Sequence, residues 1–234
     1  MISNLPARIY WRTIRKLMPK RATRWVGVKS IADGKLFDHC LLPDSFNYPR
    51  DRPNYENALV FGLRECVRSG DRVTVIGGGY GITAILASNL AGSTGRIQVF
   101  EGSREQVSIC RQVLARNKTD APVNLEHAIV GDSIAVYGGH DDSASLVSAD
   151  SLEDCDVLQM DCEGAEIAIL KSISIKPRVI LVETHGFLGA PTEIVEKKLR
   201  DLGYSVENLG IAEIDHYKYC VKNDIRAVLG VLKS

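Results

Sequence analysis

At 234 residues, with 45% hydrophobic and 25% charged residues, the chain has the size of one α/β domain and enough apolar side chains to bury a core. Lys plus Arg equals Asp plus Glu at 29 each, so there is no overall basic footprint, and no nucleic-acid partner is expected. No apolar run approaches the ~20 residues of a membrane span, and six cysteines without Cys-x-x-Cys or His-rich spacing argue against a zinc site.

Leu5, Ile9, Ile14, Leu17 and Met18 recur at helical spacing among Arg8, Arg12, Arg15 and Lys16, and Pro19 ends that helix. Residues 1–30 hold eight Lys/Arg and no acid. The expectation is a helix packed on the domain with a solvated basic face. Tyr10, Trp11 and Trp25 interleave with the basic residues, so peripheral contact with an anionic membrane surface is the alternative, followed by RNA or another acidic partner. Val26 to Leu42 alternates around Asp33-Gly34, a hairpin signal. A loop rich in Asp, Arg and aromatics follows from Pro43 to Pro53. Residues 1–52 therefore read as an N-terminal extension and 53–234 as the main domain, which opens on a helix from Asn54 to Ser69.

The next segment, Arg72-Val-Thr-Val-Ile-Gly-Gly-Gly-Tyr-Gly81, runs a β-favouring strand into four glycines, with an amphipathic helix from Ile82 onward. Strand, glycine turn and helix bring a nucleotide-like ligand against bare backbone, because glycine has no Cβ to block the approach and tolerates positive φ. Twenty residues past Gly81 a second strand, Ile97 to Phe100, ends on Glu101, whose carboxylate can accept hydrogen bonds from both hydroxyls of a ribose. Two cofactors fit this turn. Gly79-x-Gly81-x-x-Ala84 matches the dinucleotide fingerprint. Gly77, Gly79 and Gly81 match the Gly-x-Gly-x-Gly of S-adenosylmethionine (SAM) enzymes, and read from Gly77 the third dinucleotide glycine is missing at Ile82. The candidate cofactor-binding residues of the turn are Gly77, Gly78, Gly79, Tyr80 and Gly81, with Glu101 beyond it.

Ser103-x-x-Gln106 is a capping box that opens a helix to about Asn117, and Val123 to Val130 is a third strand. Gly138 to Ser145 is polar and reads as surface. Asp156-Val-Leu-Gln-Met-Asp161-Cys-Glu163-Gly-Ala-Glu166 delivers Asp161 and Glu163 at the end of a buried strand, and a helix follows from Ile167 to Ser172. Glu166, at the start of that helix, reads as a dipole-stabilising carboxylate. Val179-Ile-Leu-Val-Glu183-Thr-His185 is another apolar strand ending in an acid and a histidine. Ligands of open α/β sheets bind outside the carboxyl ends of the strands, so Glu101, Asp161, Glu163, Glu183 and His185 should share one cleft. A further helix starts at Pro191 and Thr192 and stops at Gly203, and Tyr204 to Asn208 and Tyr217 to Val221 read as final strands.

These residues resemble the FkbM family of SAM-dependent methyltransferases over about residues 53–222. The Asp-x-Glu-Gly-x-Glu segment at 161–166, the glycine turn at 77–81, the strand-end Glu101 and the Glu-x-His at 183–185 carry the likeness. The resemblance implies an α/β, Rossmann-like class I methyltransferase fold: a mostly parallel seven-stranded sheet with an antiparallel edge strand and helices on both faces. It implies SAM as cofactor, with Gly131 and Asp132 near the adenine. Two positions depart from the pattern. Class I enzymes often carry an acid two residues before the first glycine, to meet the SAM ammonium, and here that residue is Val75. The family's Thr-Leu-Asp reads Ser148-Ala149-Asp150.

The chemistry expected is displacement at the methyl carbon by a substrate oxygen, so O-methylation of a small-molecule, glycan or lipid-linked acceptor. Asp161 is the first candidate for the base and His185 the second. Glu163 and Glu183 are read as holding substrate hydroxyls or orienting His185. No resident metal is assigned, although strand-end acids could bind a divalent cation, as in some O-methyltransferases. A nicotinamide- or flavin-binding oxidoreductase and a non-catalytic SAM-fold binding protein are the competing classes. Cys40, Cys66, Cys110, Cys155, Cys162 and Cys220 read as reduced packing residues of a cytoplasmic protein, with Cys162 turned away from Asp161 and Glu163 by strand alternation. The N-terminus lacks the apolar stretch of a secretory signal. The oligomeric state is not legible.

Overall fold

The computed structural model describes residues 27–32, 35–40, 54–131 and 143–233. The basic helix at Leu5–Met18, the loop at Pro43–Pro53, Asp132 and the segment from Gly138 to Asp142 lie outside the described residues, as do the expectations attached to them. The extension contributes β1 (Gly27–Ala32) and β2 (Lys35–Cys40), paired antiparallel with Ala32 opposite Lys35. The pairing of these two strands is what the alternation from Val26 to Leu42 predicts.

The domain begins with α1 (Asn57–Cys66), β3 (Arg72–Ile76), α2 (Ile82–Ala91), β4 (Arg96–Glu101), α3 (Arg104–Arg116), β5 (Val123–Val130) and β6 (Ser145–Val147). It continues through β7 (Val157–Met160), α4 (Glu166–Ser172), β8 (Val179–Glu183), α5 (Thr192–Asp201), β9 (Tyr204–Ile211), α6 (Tyr217–Asn223) and β10 (Arg226–Leu232). The strands form one sheet in the order β6-β5-β4-β3-β7-β8-β10-β9. All neighbours are parallel except β10, which runs antiparallel to both β8 and β9. Successive parallel strands step outward from β3 in both directions, so β3 and its neighbours flank a crevice at their carboxyl ends.

The α/β, mostly parallel architecture is as expected, with three differences. The sheet has eight strands because Ser145–Val147 adds a short one beyond β5. The antiparallel strand is inserted between β8 and β9 and is not itself the outermost. Most directly, Tyr217 to Val221 is helix, and the strand is Arg226–Leu232, whose Ala227, Val228 and Leu229 are all buried. A five-residue aromatic and apolar run fits either state. Its surroundings decide: here only Cys220 points inward, the one-sided burial of a surface helix. The first helix is also shorter than its pattern, spanning Asn57–Cys66.

The sheet is covered on both faces. One layer packs Leu59 and Leu63 of α1 and Ala84, Leu86, Ala87 and Ala91 of α2 onto Val73, Val75, Val157 and Leu181. The other packs Ile169, Leu170, Val195 and Leu199 of α4 and α5 onto Leu158, Met160, Ile180 and Val228. β3, β7 and β8 are buried almost throughout, as parallel strands sandwiched by helices must be. Truncating a core leucine such as Leu59 or Leu63 should cost about 2–5 kcal/mol. The rigid layers hold three strand ends, β3, β4 and β7, at fixed spacing around the crevice.

Candidate active site

Gly77 follows β3 at φ 92°, and its amide donates to the Phe100 carbonyl at 2.9 Å. A Cβ on Gly77 would lie 1.8 Å from the carbonyl oxygen of Asp161, so the residue is glycine because the end of β7 passes against it. Gly79, at φ 47°, is the position open toward the cavity, where a Cβ would meet Glu56 Oε1 at 3.7 Å and the Tyr55 hydroxyl at 3.9 Å. Gly81 caps α2 at φ 82° and packs on Cys110 of α3. Gly77, Gly79 and Tyr80 line the cavity. Gly78 instead approaches Val99 and Glu101, and Gly131 approaches Ile169; neither Gly78, Gly81 nor Gly131 is in the lining.

The cavity has a volume of about 300 Å³, at the lower end for a small-molecule site. Glu101 stands at one side, buried, with both oxygens engaged: Gly79 N–H donates to Oε2 at 2.9 Å and Ser103 N–H to Oε1 at 2.8 Å. Each carboxylate oxygen keeps a second lone pair for a ligand hydroxyl. The Ser103 cap behind it forms as expected, its hydroxyl accepting from Gln106 N–H at 3.4 Å. Phe100, Ala128, Ile129 and Val130 supply an apolar wall on the β5 side.

Across the crevice the ends of β7 and β8 bring the acids and the histidine together. Asp161, Glu163 and Cys162 line the cavity, while Glu183 and His185 lie behind Asp161. His185 Nε2 is 3.5 Å from Asp161 Oδ1 and 3.8 Å from Glu183 Oε1. His185 Nδ1 is 2.6 Å from Oε1 of Glu166, a carboxylate with no solvent exposure, and the other Glu166 oxygen accepts Gly164 N–H at 2.9 Å. Glu166 is therefore the group that orients His185, a role expected of Glu163 or Glu183. A buried carboxylate at Nδ1 puts the Nδ1 proton toward Glu166 and leaves Nε2 for the site. The backbone holds the ring in place as well: His185 and Ala190 exchange two hydrogen bonds at 3.2 and 3.1 Å, and Gly186 N–H donates to the Asp224 carbonyl at 3.1 Å.

The acids crowd one another. Burial pushes Asp161 up to about 6, with His185 opposing and Glu166 and Glu101 reinforcing the rise. Glu163 goes up to about 7, through burial and then the Asp161 charge. Glu183 is raised well above the carboxylate range by burial, Asp161 and Glu56. Burial alone would lower His185, but its hydrogen bond to Glu166 and the charges of Asp161, Glu166 and Glu163 raise it. A cavity whose carboxylates destabilise each other favours a cationic ligand. Donor atoms of Asp161, Glu183 and His185 all lie within 4.8 Å of one another, a set that could also hold a metal ion.

The expectation for Cys162 needs correction. Cys162 is not turned away: β7 ends at Met160, alternation stops there, and Cys162 lines the cavity beside Asp161 and Glu163. Burial and the neighbouring acids push its thiol well above its usual range, so it offers no thiolate nucleophile. Asp150 sits exposed in a 3-10 turn and is not part of the lining. Residues absent from the expectations also enter. Tyr55 and Glu56 line the cavity, and the Tyr55 and Tyr80 rings pair at 5.6 Å. A Tyr-Glu pair at the start of a helix carries no sequence signal of a site, since only the docking of α1 against α2 and β8 brings it there.

A sequence profile of the methyltransferase FkbM domain matches residues 142–206, the stretch that bears Asp161, Glu163, Glu166, Glu183 and His185. No curated protein matches the chain in sequence. Among solved structures the chain is similar to a SAM-dependent O-methyltransferase from Thermotoga maritima, at 14% identity and TM-score 0.51, covering 79% of this chain and 68% of that one. It is also similar to a ribosomal protein L11 methylase from Lactobacillus delbrueckii subsp. bulgaricus, at 12% identity and TM-score 0.51, covering 75% of this chain and 78% of that one. At such identity the likeness is one of fold. Residues 142–206 thus match the methyltransferase FkbM domain, and the chain has the α/β fold of these solved methyltransferases.

Proposed function

We propose that this protein transfers the methyl group of SAM to a hydroxyl oxygen of a small-molecule, glycan or lipid-linked acceptor. The observation that carries the reading is the facing of Glu101 and the glycine turn, on one side of the cavity, by Asp161 on the other. The residues fit the donor: the spare lone pairs of Glu101 suit a ribose diol, the bare backbone of Gly79 admits close approach, and the excess of carboxylates suits a cation. When bound, SAM supplies an electrophilic methyl carbon on a sulfonium that leaves readily as a neutral thioether.

The chain then has two tasks. It aligns acceptor oxygen and methyl carbon, which can be worth roughly 7–11 kcal/mol. It also removes the hydroxyl proton, worth about 10²–10⁴-fold. Asp161 accepts that proton in this reading, and His185, 3.5 Å away, stabilises the ionised Asp161. Glu163, beside Asp161 in the lining, holds acceptor hydroxyls. Phe187, a half-exposed ring edge-on to His185, and Tyr219, edge-on to Phe187, are the aromatic groups this reading assigns to acceptor contact.

A second reading is favoured by one geometric fact, the clustering of Asp161, Glu183 and His185 donors. There, a divalent cation would bind the acceptor oxygen and lower its pKa. Labelled methyl transfer from SAM into a native-cell extract tests both. Asp161→Asn should abolish transfer while binding of the demethylated product, S-adenosylhomocysteine, stays within a few fold. Retention of more than about a tenth of wild-type turnover would remove Asp161 from the base role. Chelator sensitivity restored by a divalent cation would select the second reading. Binding of NADH or FAD in place of SAM would overturn both.

A further inference from the structure

The glycine-turn motif leaves one ligand group without a partner. Val75, where an acid would meet the ammonium of the methionyl portion, has no solvent exposure and packs in the α1/α2 core layer, away from the cavity. Another carboxylate stands nearby. Glu56 lines the cavity with Gly77, Gly79 and Asp161, and its Oε1 lies 3.7 Å from the position a Cβ on Gly79 would take. It faces the cavity across the turn from the end of β3.

Glu56 is fixed from several directions. It sits at the N-cap of α1 in a left-handed conformation, φ 50° and ψ 33°. Its carbonyl accepts Val60 N–H at 2.9 Å, and Ala58 N–H donates to the Ala212 carbonyl at 3.2 Å. Asn57 Oδ1 accepts Ile214 N–H at 2.8 Å, and Asn54 donates to Asp215 at 2.9 Å. The start of α1 is thereby pinned to the loop after β9, and the Glu56 side chain is held at the cavity wall. Burial and then the Asp161 charge push its carboxyl up to about 8, with a hydrogen bond from Tyr55 opposing the rise and the Glu213 charge adding to it. A carboxylate built into a wall beside other carboxylates is stabilised by a cation placed between them.

We propose that Glu56 is the residue that receives the α-ammonium of the donor's methionyl portion, supplying from the start of α1 the carboxylate that Val75 cannot. This rests on the SAM reading above and adds to it the polarity of the bound donor. The ribose lies on the Glu101 side, the ammonium lies beside Glu56 and Gly79, and the methyl points at Asp161. The adjoining Tyr55–Tyr80 ring pair flanks the same end of the cavity.

Calorimetry on the full chain, wild type and Glu56→Gln, distinguishes the possibilities with two probes. S-adenosylhomocysteine carries the ammonium and a neutral sulfur. 5′-Methylthioadenosine has the same nucleoside thioether but no ammonium. Glu56→Gln should weaken S-adenosylhomocysteine by about ten-fold or more, the scale of one charge-assisted hydrogen bond, and change 5′-methylthioadenosine by less than about two-fold. Equal loss for both probes, or loss for neither, would overturn the assignment. Glu56→Gly, which suits the left-handed backbone, gives the same comparison should the glutamine variant fold poorly. Wild-type protein that binds neither probe would sink the SAM reading and this assignment with it. Wild-type binding of both with an unchanged ratio in the variants would sink the Glu56 assignment alone.

Discussion

Glu166 has both carboxylate oxygens committed inside the protein, one to His185 Nδ1 and one to Gly164 N–H. Glutamine at this position has a single carbonyl oxygen and so can accept only one of the two hydrogen bonds, presenting its NH₂ to the other donor. Glu166→Gln should therefore lower the imidazole pKa of His185, because the bond and charge that raise it are lost. It should also lower turnover by part of the roughly 10²–10⁴-fold a placed base supplies, and leave S-adenosylhomocysteine affinity within a few fold. NMR titration of His185 alongside steady-state rates checks this; an unshifted imidazole would contradict the orienting role. At this scale the residue types were readable from the sequence and their partners were not. Glu166 reads as a helix-start acid because its spacing says nothing of depth, and only its burial at the start of α4 turns it into the support of His185. Glu101 was placed by its distance from the turn, since strand, turn, helix and strand have nearly fixed lengths.

At the scale of elements, the turn between β3 and α2 and the end of β7 depend on each other. Gly77 admits the Asp161 carbonyl against its own backbone, and Asp161 N–H donates to the Ile76 carbonyl at 2.8 Å. Gly77→Ala should displace the β7 end, because its Cβ meets backbone atoms that cannot rotate aside, and because φ 92° is itself strained for alanine. The expected result is destabilisation of about 2 kcal/mol or more together with loss of turnover. Gly79→Ala, with ordinary contacts at 3.7 and 3.9 Å, should be milder for folding and act mainly on nucleotide affinity. Thermal melts with S-adenosylhomocysteine titrations compare the two. Equal stability of both variants would show that β7 yields where the packing says it does not. The strand-helix pattern from Arg72 to Val130 was legible because strong β runs alternate with helices opened by a glycine turn at Gly81 and a side-chain cap at Ser103. Tyr217–Val221 was not, since short apolar runs take their state from what they pack against.

For the whole molecule the governing quantity is the charge collected at one end of the sheet. Glu56, Asp161 and Glu163 are raised to about 8, 6 and 7. Between about 4.5, where unfolded carboxylates ionise, and about 8, the folded state therefore holds protons that the unfolded chain has released. A raised acid favours the native state below its unfolded pKa and progressively loses that advantage as pH climbs through the folded one; His185, also raised, acts in the same direction. The donor-free protein should thus melt lower as pH rises across this window, by an order of several degrees. Saturating SAM should stabilise it most at the alkaline end, where the carboxylates are ionised and meet the cation. Fluorimetric melts from pH 5 to 8.5, with and without SAM, read this directly; a donor-free melting temperature that climbs with pH would refute the electrostatic account.

The sequence by itself determined the alternation of strands and helices, the glycine turn, the strand-end acid and the order of acids and histidine along the chain. These are local patterns, set by side-chain period, backbone freedom and spacing. The tertiary structure decided which glycine faces ligand and which faces backbone, that Glu166 supports His185, that Cys162 lines the cavity, and that Glu56 stands where Val75 cannot. Each of those facts joins residues from different elements, and proximity between elements arises from how the two helical layers close over the sheet, which no local spacing encodes.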